Sequence, residues 1–380
     1  MDPESVVRTG IVNCGNKPTA YAVGNKNKRR PEAVKEIRFP TPIQEVSMKK
    51  ILAMMLGAAM LLPAVFANGQ ADANKPIELT YTMTAVPTDA HTKAMMVFKE
   101  TVEKLSGGTI KVLTYDSASL FKQEQELTAV KTGQADMTAT AAAWLTDGSP
   151  WVSMFTAGYI FKSYEHMTKV MNGPVGKEVF ERIAKEQGIR PLGAEYLGTR
   201  QMNMVEDRPI KTPADLKGVK LRMPNSDSWI FLGKALGANP TPVSFSELYM
   251  ALQTKTVDGQ ENPLPTDKNA KFYEVTKSIT ITNHVVDSVW PAINEKKWQS
   301  LTKEQQGWIM EGVKAGIEFC DKTNRAAEAE LIGFFKSQGL KVYNADLNAF
   351  SKEVLGKYLA SDYAKSWDKA LFDRVQAAGN

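Results

Sequence analysis

Short apolar runs and helical periods alternate along the chain from Lys75 onward, and this alternation constrains the fold more than any other feature. Residues 77–84 and 109–115 have the length and β-branched content of strands, whereas 89–105 carries apolar residues at helical spacing. A second helical period at 124–131 leads into another apolar run. Strands and helices that alternate at this pace predict an α/β fold with a largely parallel sheet and helices on both faces.

The same order of elements begins again in the second half of the chain. Thr212, Pro213 and Asp215 occupy the N-cap, N1 and N3 positions of a predicted one-turn helix. A strand follows, and then a predicted helix over 244–255, whose first and fourth residues are Ser and Glu at capping-box spacing. The repeated order predicts two similar α/β lobes.

A single long helix is predicted after the second series of strands. Thr302 and Gln305 form a capping box, and the apolar period continues from Trp308 to Phe335 before Gly339 ends it. At 1.5 Å per residue, roughly 35 residues would be about 50 Å long. A helix of this length exceeds one small lobe, so it is predicted to cross both.

A secretory leader precedes the α/β body. Residues 48–67 begin with a methionine and two lysines, continue as an apolar run and end with small residues at Val65 and Ala67. The run is shorter than the ~20 residues that a membrane-spanning helix needs. We therefore predict a cleaved signal peptide at 48–67 and a periplasmic mature chain. Residues 1–47 are predicted to be a non-native upstream extension, with a nucleic-acid-binding tail as the alternative.

Composition and motifs argue against several functions. The net charge of +5 falls within the first 67 residues, so the body of the chain needs no nucleic acid or membrane as a partner. Cys320 is the single cysteine after the leader, and no pair of histidines has the spacing of metal ligands. No phosphate-binding loop, dinucleotide fingerprint or nucleophile elbow occurs. We expect a binding protein without a metal or cofactor, and an enzyme of unknown type is the alternative.

Arg222 is the most informative polar residue. It alternates with Leu221 and Met223 in a predicted strand, and Pro224 ends that strand because proline has no N–H to donate. Ligands of α/β proteins bind beyond the carboxyl ends of such strands, and guanidinium matches carboxylate with two parallel hydrogen bonds. Position alone leaves open whether Arg222 binds a ligand, pairs with a carboxylate of its own lobe or is solvated.

Five ordered segments carry a resemblance to a known family. They are "GTRQMNM" (198–204), "DLKGVKLRMPN" (215–225), "GANPTPVSFSELYMALQT" (237–254), "VDGQENP" (257–263) and "KFYEVTKSITITNH" (271–284). With them the chain, from Ile77 to about Leu371, resembles the DctP-type extracytoplasmic solute-binding proteins of tripartite ATP-independent periplasmic (TRAP) transporters. The similarity is greatest to the sialic-acid-binding branch.

The resemblance implies an architecture and a partner. The fold would be a two-lobed periplasmic-binding-protein fold, each lobe a mostly parallel sheet flanked by helices. Lobe I would comprise 68–197 and 288–327, and lobe II would comprise 198–287 and 328–380. The partner would be a TRAP membrane permease with one large and one small subunit. A ligand sensor that signals to a membrane receptor is the alternative function for the same fold.

The resemblance also implies roles for individual residues. Arg222 matches the arginine that binds the ligand carboxylate, and Arg200 matches a second, supporting arginine. Asn262 matches an amide that hydrogen-bonds the carboxylate region, and Phe245 matches an aromatic residue of the pocket. The alternatives are an ion pair near the hinge for Arg200 and core packing for Phe245.

Four positions depart from the sialic-acid-binding branch. The polar groups that hold the sugar there are matched by Ala141, Trp144, Gln123 and Thr84. Because a pocket is built around the hydroxyls that it expects, these changes predict a monocarboxylate with an apolar or aromatic body stacked near Trp144 and Phe245. A C4-dicarboxylate or a sugar acid is the alternative ligand. Trp144 could instead lie in the core, and Trp290 is a further candidate for the cleft.

Overall fold

The computed structural model describes residues 76–379. The predicted signal peptide at 48–67 and the predicted extension at 1–47 lie outside the described residues. Within the described part, eleven strands form one continuous set of ladders. The strands are β1 (Ile77–Thr82), β2 (Ile110–Tyr115), β3 (Met137–Ala141), β4 (Ile189–Pro191), β5 (Glu195–Met204), β6 (Lys220–Met223), β7 (Asn239–Pro242), β8 (Gly259–Pro263), β9 (Ser278–Ile281), β10 (Val286–Asn294) and β11 (Lys341–Asn344).

The sheet has two parallel parts joined by antiparallel strands. Its order is β2–β1–β3–β10–β5–β8–β6–β7, with β4 on β10, and with β9 between β5 and β11. The β1–β2, β1–β3, β6–β7, β6–β8 and β9–β11 pairs are parallel. The long strands β5 and β10 run antiparallel to their neighbours. The predicted α/β architecture is confirmed, but the sheet is mixed and not mostly parallel, with five parallel and five antiparallel strand pairs among the described residues.

We call the part built on β1, β2 and β3 the first lobe and the part built on β6, β7 and β8 the second lobe. Strand β5 serves both, because it pairs with β10 at its start and with β8 and β9 at its end. A β-bulge in β10 at Asp287 and Ser288 lies opposite Gly198 of β5. Gly198 has φ +129°, and a Cβ there would approach Pro263 within 2.6 Å, so this crossing point requires glycine. The residue bounds predicted for the lobes stay a prediction.

Twelve α-helices cover the described part of the sheet. They are α1 (Ala90–Leu105), α2 (Gln123–Thr132), α3 (Tyr164–Met171), α4 (Pro174–Gln187), α5 (Asp227–Ala235), α6 (Leu248–Gln253), α7 (Leu264–Asn269), α8 (Glu295–Ser300), α9 (Lys303–Ser337), α10 (Leu347–Leu359), α11 (Asp362–Ser366) and α12 (Lys369–Ala378). Short 3-10 turns precede several of them. The turn at Pro213–Leu216 begins after Thr212 as predicted, and Thr212 and Asp215 form a capping box there.

The long helix α9 crosses both lobes as predicted. It has 35 residues, and its first turn is closed by the capping box of Thr302 and Gln305. It packs along α1 and β5, and farther along it meets α7 and β11. Because one rigid element touches both lobes, their relative position depends on how this helix packs.

The capping box predicted for Ser244 is wrong. The hydroxyl of Ser244 donates a hydrogen bond to the Glu124 carboxylate, 2.7 Å away and 120 residues earlier in the chain. A 3-10 turn at Phe245–Glu247 replaces the first turn of the predicted helix, and α6 begins at Leu248. A tertiary hydrogen bond has therefore taken the side chain that a local cap would use.

Candidate functional site

A cavity of about 100 Å³ lies between the two lobes. The ends of β1 and β3 and the start of α2 form one wall, and β5, β6 and β8 form the other. All eight residues predicted to bind the ligand line this one cavity, although they span 178 positions of the sequence. They are Thr84, Gln123, Ala141, Trp144, Arg200, Arg222, Phe245 and Asn262.

Arg222 is buried at the carboxyl end of β6 and has few partners. Its side chain is 1% exposed, and its Nε donates a hydrogen bond to the Val243 carbonyl at 2.8 Å. Its Nη2 has no hydrogen-bond partner, and no described carboxylate forms a salt bridge with the guanidinium. Burial lowers the pKa of Arg222 to about 9, so the group remains cationic at neutral pH. A buried cation without a partner acid is costly and suits an anion that arrives from outside.

Arg200 lines the same cavity, but it is fully paired. It holds the Glu261 carboxylate with two nitrogens, Nε at 2.5 Å and Nη2 at 2.7 Å, and its Nη1 donates to Asp287 at 2.9 Å. The guanidinium also lies 4.5 Å from the centre of the Trp229 ring. Burial lowers the pKa of Arg200, but the neighbouring acids Glu261 and Asp287 raise it by more, so that the pKa lies above its usual value. Arg200 therefore stands in an ion-pair network, as in the alternative left open by the sequence.

Asn262 connects this network to a buried amide chain. Its Oδ1 accepts a hydrogen bond from Arg200 at 3.0 Å, and its Nδ2 donates to Gln260 at 2.5 Å. Gln260 in turn donates to Asp267 at 2.7 Å. Burial raises the pKa of Asp267 well above its usual range. Both ends of the Asn262 amide are occupied, and its position on the cavity wall is thereby held in place.

The first-lobe wall contains a carboxyl group that the sequence analysis missed. Glu126 of α2 is 4% exposed, and it accepts hydrogen bonds from Thr84 at 3.1 Å and from Thr138 at 3.4 Å. Burial, opposed only in part by these bonds, raises its pKa to about 8. The sequence did contain an indication that Glu126 is buried. Glu126 lies three and four residues before Ala129 and Val130, so it shares the buried face of the helix with them.

The remaining predicted residues line the cavity from both lobes. Ala141 ends β3, and Trp144 follows in a 3-10 turn with its side chain partly buried. Gln123 begins α2. Across the cavity, the Phe245 ring packs edge-on against Phe272 with centroids 6.0 Å apart.

Trp290 does not line the cavity. It is 1% exposed, packs against Phe155 and Phe180, and donates from Nε1 to Ser288 at 3.0 Å. The idea that it faces the cleft is therefore wrong. The aromatic residues that do line the cavity are Trp144, Trp229 and Phe245.

Next to the cavity, three potential metal-ligand groups come together among the described residues. His91 Nδ1 lies 2.8 Å from Glu195 Oε2 and 3.3 Å from Cys320 Sγ. All three side chains are buried, and burial beside Glu195 raises the pKa of the Cys320 thiol. They are hydrogen-bonded to one another and join α1, β5 and α9. Cys320 is a free, buried cysteine.

Polar contacts join the two lobes beside the cavity. They are the ion pair of Lys122 with Glu247 at 3.0 Å, the hydrogen bond from Ser244 to Glu124 at 2.7 Å and the hydrogen bond from Asn269 to Asp89 at 2.8 Å. Asp89 is itself a cavity-lining residue. These contacts hold the lobes together in the arrangement seen here.

Comparison with known proteins identifies the family of this chain. The model of the DctP family, bacterial extracellular solute-binding protein family 7, matches residues 81–365. The chain belongs to the DctP family. The family resemblance stated from the sequence is thus confirmed, and the chain is a solute-binding protein and not an enzyme.

Relatives of this DctP protein cover nearly its whole body. The sialic acid-binding periplasmic protein of Vibrio cholerae is 34% identical over 295 residues, which are 78% of this chain and 91% of the relative. The C4-dicarboxylate-binding periplasmic protein of Rhodobacter capsulatus is 31% identical over 283 residues, 74% of this chain and 82% of the relative.

A solved structure gives the same picture. A TRAP periplasmic solute-binding protein from Roseobacter denitrificans, with bound 3-deoxy-D-manno-oct-2-ulosonic acid, superposes with a TM-score of 0.77 at 39% identity. The match covers 80% of this chain and 100% of that protein. The two-lobed fold is therefore that of TRAP solute-binding proteins. Among the described helices of this DctP protein, none has both the length and the apolar character needed to cross a membrane.

Proposed function

We propose that this protein captures a small monocarboxylate between its lobes and delivers it to a TRAP membrane permease. The observation that carries the proposal is Arg222, a buried guanidinium whose Nη2 has no partner while it lines the cavity. A ligand carboxylate would supply two parallel charge-assisted hydrogen bonds and remove the unpaired charge. The carboxylate-binding relatives named above support this assignment.

The charges of the cavity favour one carboxylate on the ligand over two. Three cationic or basic side chains, those of Arg222, Arg200 and His91, are among the described cavity-lining residues. Arg200 is neutralised by Glu261 and Asp287, and His91 is bonded to Glu195. Only Arg222 among them is left for a ligand. A second ligand carboxylate would find no free cation, which disfavours the C4-dicarboxylate alternative.

The body of the ligand would lie against the aromatic residues. Trp144 and Ala141 line the cavity from the first lobe, and Phe245 lines it from the second. An apolar or aromatic body would stack there, as would the C–H face of a sugar acid. Lobe closure would follow from differential affinity, because groups of the first lobe reach an Arg222-bound ligand only when the lobes are together.

Thermal unfolding of the purified protein against a panel of acids tests the proposal. The panel contains aliphatic, aromatic and hydroxylated monocarboxylates and C4-dicarboxylates. The acid that binds most tightly in each class is also tested as its neutral amide. A monocarboxylate at 100 times its Kd should stabilise the protein by ~2.7 kcal/mol, and its amide should not. Stabilisation only by dicarboxylates, or equally by acid and amide, would contradict the proposal.

Delivery to a permease needs a separate test. Proteoliposomes containing the large and small permease subunits should take up the labelled acid only when this protein is added. Uptake that does not depend on the protein, together with ligand-dependent binding to a membrane receptor, would favour the sensor alternative.

A further inference from the structure

Glu126 stands out because it lines the ligand cavity as a buried acid without a cation. Among the described residues its partners are two threonine hydroxyls, Thr84 and Thr138, which donate to different carboxyl oxygens. Thr138 is fully buried behind the wall, whereas Thr84 and Glu126 both face the cavity. Each carboxyl oxygen can take part in a further hydrogen bond. A ligand group next to this pair can therefore bond to it directly.

The same wall of the cavity contains apolar side chains as well as the polar side chains of Asp89, His91 and Gln123. Ala139 and Ala141 of β3 and Met83 after β1 line the cavity on the same side. A second ligand carboxylate next to Glu126 would be buried without a cation to pair with, because no salt bridge to Glu126 is formed by the described residues, and an unpaired buried charge is costly. A hydroxyl group carries no charge and both donates and accepts, so it satisfies the carboxyl in either protonation state.

We propose that Glu126, assisted by Thr84, determines the specificity of the site by hydrogen-bonding a hydroxyl group of the bound monocarboxylate and by excluding a second carboxylate at that position. This rests on the proposed function, since Arg222 holds the other end of the ligand. The ligand class becomes a hydroxy monocarboxylate, with its carboxylate on the second lobe and its hydroxyl on the first. The sialic-acid-binding branch has a polar group at the position of Ala141, and in this chain Glu126 of α2 would supply the polar contact instead.

The elevated pKa of Glu126 agrees with this arrangement. Burial raises it to about 8, so the group is largely a neutral acid at neutral pH, able to donate a hydrogen bond as well as accept one. A ligand ammonium group would instead require the ionised form. The structure thus favours a hydroxyl over an amine next to Glu126.

Calorimetric titration with matched acids tests the inference on the full chain. The probes are straight-chain carboxylic acids of four to six carbons whose other end is a methyl, hydroxyl, ammonium or second carboxylate group, together with L-galactonate and 3-deoxy-D-manno-oct-2-ulosonic acid. The variants are Glu126→Ala, Glu126→Gln and the exposed control Glu100→Gln. For wild type, hydroxyl-bearing acids should bind at least tenfold more tightly than their methyl and carboxylate counterparts.

Glu126→Ala should remove that preference while leaving the Kd of the methyl-ended acids within about threefold, and Glu126→Gln should retain part of it. Glu100→Gln should behave as wild type. Equal weakening for methyl- and hydroxyl-ended acids would show a structural role and overturn the inference, as would a wild-type preference for the methyl, ammonium or carboxylate end. If wild type binds none of the monocarboxylates, the proposed function itself fails, which separates the two outcomes.

Discussion

Two arginines lie on the same cavity wall, and their surroundings differ completely. Arg200 is held by two carboxylates, an amide and an aromatic face. Arg222 has one carbonyl and an unpartnered Nη2. A buried guanidinium needs hydrogen-bond acceptors. Arg200 finds them within the protein, whereas Arg222 lacks an acceptor for its Nη2. The contrast supports the proposal of one carboxylate position at Arg222, with Arg200 as a structural part of the wall.

The largest expected effect distinguishes these roles through stability. Arg200→Met would leave Glu261 and Asp287 buried without their cation, so the free energy of unfolding should fall by about 3–5 kcal/mol. Arg222→Met removes an unpaired charge and should change the stability of the ligand-free protein far less. Urea unfolding of both variants measures the change in the free energy of unfolding. Equal losses in the two variants would contradict the proposed difference between the two arginines.

The carboxyl opposite the arginines should appear in the pH dependence of stability. The pKa of Glu126 is raised by burial from 4.5 to about 8, so between these values the folded protein keeps a proton that the unfolded chain has released. Its contribution to stability therefore falls as pH rises through this window, by up to about 1.4 kcal/mol per pH unit.

Glu126→Gln lacks this titration and isolates it from the other buried acids. The stability of the variant relative to wild type should increase from about pH 4.5 to about pH 8 and stay constant outside that range. Chemical denaturation without ligand at closely spaced pH values gives this difference. If the free energies of unfolding of wild type and Glu126→Gln changed in parallel with pH, Glu126 would be ionised in the folded state.

The smallest effect concerns the contacts that join the lobes. Lys122 and Glu247 form an ion pair that is about half exposed on both sides. Exposed pairs are weak, so Lys122→Ala should raise the Kd of the ligand by less than about threefold, and this effect should vanish at 1 M salt. Titrations at low and high salt check it. A large, salt-independent loss would place Lys122 in the binding site itself.

Much of this account could be predicted from the sequence, for identifiable reasons. The alternating periods and the capped long helix depend on local spacing, and both the α/β fold and the 35-residue helix follow from them. The family resemblance placed eight residues that do line one cavity. The distribution of partners could not be predicted, because Glu261 and Asp287 lie 61 and 87 positions from Arg200, and nothing local distinguishes that arginine from Arg222.

The errors have the same origin. Ser244 has the spacing of a cap, yet its hydroxyl binds Glu124 of another lobe. Trp290 lies on a strand that crosses between the lobes, yet it points into a cluster with Phe155 and Phe180. Glu126 was missed because a carboxylate in a helix is usually a solvated group. In each case long-range packing decides where the side chain points.

The affinity of Arg222→Lys tests the central claim most directly. Lysine keeps the charge but cannot form two parallel hydrogen bonds to one carboxylate. Titrated with the monocarboxylate that stabilises wild type most, the variant should bind at least about 100-fold more weakly, since charged hydrogen bonds contribute ~1.5–3 kcal/mol each. The exposed control Arg208→Lys should bind as wild type does. A Kd for Arg222→Lys within about threefold of wild type would contradict the two-pronged salt bridge.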